Sequence, residues 1–71
     1  MELYSKENYE QAKAFAFISG SYMDGFFNIF VAFSGDFNIR EISNNLPIDG
    51  AVILFYKKVT KEMYKQNMIK E

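Results

Sequence analysis

The chain has no cysteine, so neither a disulfide nor a cysteine-bearing metal site can brace it. It has no histidine, which removes histidine metal sites and histidine acid–base chemistry as well. The phosphate-cradling pattern GxxxxGK(S/T) is missing too: no lysine follows Gly20 or Gly25 at that spacing. A nucleophile and its base would have to come from serine, lysine and carboxylates. The acids nearest the apolar centre are Asp24 and Glu41, and a catalytic carboxylate pair needs a cleft that 71 residues leave little room for. The expectation is a protein that is not an enzyme and holds no cofactor and no metal. The polar start MELYSKENYEQAK lacks a basic segment followed by an apolar one, so no signal peptide is expected. With the missing cysteines, that points to a cytoplasmic protein.

Seventy-one residues predict a single domain over residues 1–71. A domain of this size buries only about 60% of the surface its unfolded chain exposes, so its stability is slight. Disulfides and metals being excluded, self-association or a partner is the support left. The net charge of −1 hides a polarity: residues 1–56 carry three basic and seven acidic side chains, and residues 57–71 carry five basic and two acidic. No strong positive field covers the whole chain. Usage rich in lysine, asparagine and isoleucine suggests an AT-rich source, such as a low-GC bacterium or a phage.

Seven of the eight phenylalanines fall in residues 14–37, AFAFISGSYMDGFFNIFVAFSGDF. The punctuation around this stretch favours helices. Ser5 is placed to cap one over KENYEQAK, and Ser21 to Asp24 resembles a capping box. Asn38 to Glu41 starts another helix over residues 39–45, which Pro47 stops. Asp49 is placed to cap a last helix running to Lys70, with Val52, Phe55, Tyr56, Val59 and Met63 on one face and Lys57, Lys58, Lys61 and Lys65 on the other. The expected fold is therefore all-α, a small bundle of about four helices. The alternative is α+β, a β-meander with terminal helices, because Asp24-Gly25, Gly35-Asp36 and Asp49-Gly50 are turn-like and FFNIFVAF has high strand propensity. A membrane span over residues 14–33 is not expected. Polar residues crowd its middle, and a central Asp24 costs about 2.5–3.5 kcal/mol on insertion.

Residues 39–58, IREISNNLPIDGAVILFYKK, resemble the helix-turn-helix of bacterial and phage regulators. Ile42 and Ser43 match the apolar–small pair of the first helix. Leu46 and Ile48 flank the turn, and Ile53 and Tyr56 match the apolar pair of the second helix. The resemblance implies a helix-turn-helix-like second half. It departs from the family at Pro47, where glycine is usual, and on the reading surface. There Asp49, Gly50, Ala51, Val52, Leu54 and Phe55 replace side chains able to hydrogen-bond base edges.

A helix over residues 21–34 would be apolar around roughly 200° of its circumference, about twice the stripe of a surface helix. Its rings exceed what a short neighbour can cover. The expected function is thus a small protein-binding module: a homodimeric regulator or inhibitor that occludes a partner through an aromatic surface, encoded by a phage or mobile element. The expected contacts are Phe26, Phe27, Phe30, Leu54 and Phe55. The alternative is a DNA-binding helix-turn-helix regulator using Lys57, Lys58, Lys61 and Lys65 on phosphates. A protein partner or a second copy is favoured over nucleic acid, and no membrane is expected.

Overall fold

The computed structural model describes residues 2–36 and 38–69. Phe37, counted in the aromatic stretch, and Lys70, at the end of the expected last helix, lie outside the described residues. In chain order the elements are β1 (Leu3–Tyr4), a 3-10 turn (Tyr9–Gln11), β2 (Ala14–Tyr22), β3 (Gly25–Phe33), α1 (Ile39–Asn45), β4 (Val52–Val59) and α2 (Lys61–Met68). The strands form one antiparallel sheet in the order β1-β3-β2-β4.

The expected all-α bundle is therefore corrected to an α+β fold. A meander would set each strand beside its sequence neighbour, whereas β4 returns to pair with β2. Two physical reasons account for the difference. The segments AFAFISGSY and GFFNIFVAF are rich in aromatic and β-branched side chains, which pack well on a pleated surface. The central strands are also covered on both faces at their α2 end, so there they read as continuous apolar runs without the alternation that marks a strand with one solvated face. Upstream, Ser5 starts a tight turn and caps no helix: its N–H donates to Asn8 Oδ1 at 2.8 Å, and its Oγ accepts from the Glu7 N–H at 3.3 Å.

The helix-turn-helix resemblance fails for a related reason. Only its first helix forms. Asn38 caps α1 as its position predicts, its Oδ1 accepting from the Arg40 and Glu41 N–H groups at 3.1 and 3.2 Å. Beyond Pro47 the chain extends into β4, so Ile53 and Tyr56 lie on a strand and no second helix follows the turn. The helix expected from Asp49 starts instead at Thr60, whose Oγ1 accepts from the Met63 N–H at 3.1 Å.

The β2–β3 hairpin turns through Met23 and Asp24, with Tyr22 opposite Gly25. Neither turn residue has positive φ; Gly25 takes φ 154° at the start of β3. Opposite residues of an antiparallel pair share a face. Ala14, Ala16, Ile18 and Gly20 therefore lie with Phe33, Val31, Ile29 and Phe27, and this face is covered by α1 through the fully buried Ile42, with Leu46, Ile48, Ala51 and Ile53 around it. Phe15, Phe17, Ser19 and Ser21 share the other face with Ala32, Phe30, Asn28 and Phe26. There α2 lays Tyr64, 1% exposed, on Phe15 and Ala32, and Tyr9 closes over it. The Tyr64 ring lies 5.3 Å from that of Tyr9 and 5.2 Å from that of Phe15.

An irregularity between Ser19 and Gly20 leaves Leu54 of β4 without an opposite residue: Ser19 faces Phe55 and Gly20 faces Ile53. The strands approach so closely there that any side chain at position 20 would run into the carbonyl oxygen of Val52. Gly20 thus serves a close strand approach.

Candidate protein-binding surface

The α2 face of the sheet is covered at one end only. Cover is complete at Phe15 and Ala32, partial at Phe17 and Phe30, and thin towards the hairpin, where Phe26 is 78% exposed. In β4 six of the eight residues are exposed, among them Val52, Leu54 and Phe55. Because α2 has only eight residues, it runs about 12 Å and cannot cover strands of nine. The uncovered half of the face follows directly from that difference in length.

Three rings form the centre of the open half. Phe17 and Phe30 are directly opposite each other, with centroids 4.9 Å apart and planes tilted by 54°. Phe55 reaches Phe17 diagonally at 6.3 Å. Tilted contacts of this kind are worth about 0.5–1.5 kcal/mol each beyond the area they bury. With Lys57, Val59 and Met63 the three rings line a shallow cavity of about 230 Å³. Ser19 and Asn28 lie between the Phe17–Phe30 pair and Phe26, and Ser21 stands between Phe26 and Val52 nearer the hairpin.

The expected contact residues divide. Phe26, Phe30 and Phe55 share this face, and Leu54 stands beside it on the edge strand. Phe27 turns to the opposite face, is 8% exposed and packs in the core near Tyr22. The four lysines do not form a single stripe. Lys57 and Lys58 alternate across the sheet; Lys61 and Lys65 ride on α2, with Lys61 Nζ 5.9 Å from the centre of the Tyr9 ring. Lys58 and Lys61 instead join Lys13 around a depression beside Phe15 and Val59. Sequence reasoning passed over Phe17, and it assigned Val52 and Met63 to a buried helix face. The signal for Phe17 was its alternation with Phe15, Ser19 and Ser21.

The electrostatics of the patch are mild. Burial pushes the Tyr64 hydroxyl above its usual range, and the negative charge of Glu7 adds to this, followed by Tyr9. Among the described residues no group of three or more acidic side chains is placed to hold a metal ion. None of the described helices is long and apolar enough to cross a membrane. In comparisons with known proteins, the chain matches no family model, no curated protein and no solved structure.

Proposed function

We propose that this chain is a protein-binding module, a small regulator or inhibitor whose open sheet face receives apolar side chains of a partner and so occludes the partner's working surface. One observation carries the reading: the exposed rings gather on the half of the face that α2 leaves bare. With about 200 Å² for a phenylalanine side chain, Phe26 at 78% and Phe55 at 51% exposure leave on the order of 250 Å² of ring towards solvent. Val52 and Met63, 55% and 39% exposed, enlarge the patch. Together these side chains, interrupted by Ser19, Ser21 and Asn28, reach the lower part of the roughly 300–600 Å² that the largest apolar patch of a monomer reaches, and such patches are often functional. The cavity between Phe17, Phe30 and Phe55 suits an anchoring side chain, and each ring fully buried on binding contributes about 1.5–3 kcal/mol.

Lys57 beside these rings also suits a single-stranded nucleic acid, which stacks bases on aromatic platforms and tracks lysines. The net charge of −1 weighs against that reading. A photo-reactive phenylalanine analogue placed at Phe26 or Phe55, and as a control at Lys65, separates the two. Cross-links to one protein from positions 26 and 55, absent from position 65, are expected, with the cross-link from position 55 abolished by Phe26→Asp. Cross-linking to nucleic acid, or equal capture from position 65, refutes the proposal.

A further inference from the structure

We infer that the outer edge of β4 is a self-pairing edge: two copies of the chain join antiparallel about a two-fold axis at Leu54 and extend the four-stranded sheet. This uses the strand edge and not the ring face, so either proposal can fail without the other.

On one side of the sheet β1 covers only Ala32 and Phe33 of β3, and no described strand lies beside residues 25–31; on the other side lies β4. The β1 edge is two residues long, and the chain there is tied down by a reciprocal pair of bonds between Glu2 and Ser34, the Glu2 N–H donating to Ser34 Oγ at 2.8 Å and the Ser34 N–H to the Glu2 carbonyl at 2.9 Å. The β4 edge is eight residues long, about 26 Å at the usual rise. No strand among the described residues lies outside it. Its first five residues, Val52 to Tyr56, are uncharged and hold no proline, which is the composition of an edge that pairs.

Charge selects both the occupant and its direction. Asp49 stands just before the strand and Lys57 and Lys58 near its end. Antiparallel pairing with a second copy sets each acidic end beside the other copy's basic end. Parallel pairing would stack lysine on lysine, which is unfavourable for facing residues of a sheet. The strand is thus complementary to itself in one direction only, and its apolar centre, Ile53 to Phe55, falls near the axis. A two-fold contact of this kind closes on a dimer at β4.

Sedimentation of the full chain over a micromolar-to-millimolar series tests it, with amide exchange read in parallel. The expected result is a rise from one chain mass to two, with slower exchange in residues 52–59 as concentration rises. Leu54→Lys, at a position 65% exposed and unopposed in β2, is expected to weaken the dimer at least tenfold without changing the monomer's unfolding midpoint. Since the chain has no cysteine, direction can be read from single introduced ones. Leu54→Cys should form a disulfide-linked dimer on oxidation, and Lys58→Cys should not. Three outcomes overturn the inference: a monomer at every concentration, a dimer broken by Phe26→Asp and untouched by Leu54→Lys, or efficient cross-linking of both cysteine variants.

Discussion

Gly20→Ala is the sharpest single test of the sheet. A Cβ at position 20 would collide with the carbonyl oxygen of Val52 and come within 3.0 Å of the Phe27 ring. The first obstacle is backbone of the neighbouring strand, so it cannot swing aside as a side chain would. Replacing glycine by alanine in an extended segment normally gains about 0.5–1 kcal/mol, because the unfolded chain loses freedom. Overpacking a fixed site costs about 1–3 kcal/mol, and more where backbone must shift. The expected net loss is about 1–3 kcal/mol, against a total of about 4–10 kcal/mol for a chain of this length. Urea unfolding followed by circular dichroism should show a midpoint lower by about 1–3 M, taking a slope near 1 kcal/mol/M for a small domain. Gly35→Ala is the matched control. A Cβ there meets nothing within 4 Å and the residue does not have positive φ, so its midpoint should equal the parent's or rise by up to about 1 M. Equal midpoints for Gly20→Ala and Gly35→Ala would refute the close approach of β2 and β4, and with it the Ser19/Gly20 irregularity.

Ile42→Ala removes the one fully buried side chain that α1 contributes to its face of the sheet and should cost about 2–5 kcal/mol, seen as loss of a two-state thermal transition at ordinary temperatures. Thr60→Ala deletes the cap on the Met63 N–H and should lower stability by about 0.5–2 kcal/mol in the same urea assay. Tyr64 has its hydroxyl pKa raised in the folded state by burial first, so the unfolded chain ionises before the folded one. The contribution of Tyr64 to stability should be constant below pH about 10 and be lost above it, and Tyr64→Phe should flatten that alkaline fall. Phe26→Ser, at an exposed ring, should change the unfolding midpoint by less than about 0.5 kcal/mol even though it removes the proposed anchor.

Local signals in the sequence were legible where they acted alone. Asn38 and Pro47 bracket α1 as capping and ring closure require, and the Asp24-Gly25 turn marks the hairpin. Misreading began where two effects overlapped. Cover on both faces removed the alternation from β2 and β3, leaving runs that suit a buried helix as well as a buried strand. In β4 the unopposed Leu54 shifts the alternation by one place. Val52 and Phe55 therefore share a face three residues apart, the spacing of a helix and not of a regular strand. The helix-turn-helix resemblance drew its second half from the same displaced positions. The candidate surface was legible as an excess of rings; which rings turn outward was not, because that depends on pairing between β2 and β4 across most of the chain.

The return of β4 to the side of β2 also sets an order of events in time. The hairpin of β2 and β3 is local and can close within about 1–10 μs. The contact between Phe15 and Val59 must wait for nearly the whole chain, and non-local pairing of this sort slows folding. On a ribosome the hairpin would emerge first, with both faces bare, and β4 and α2 would arrive later. The nascent chain is therefore most adhesive before β4 emerges, and mutations in β4 are expected to reduce soluble yield more than their effect on the finished fold suggests.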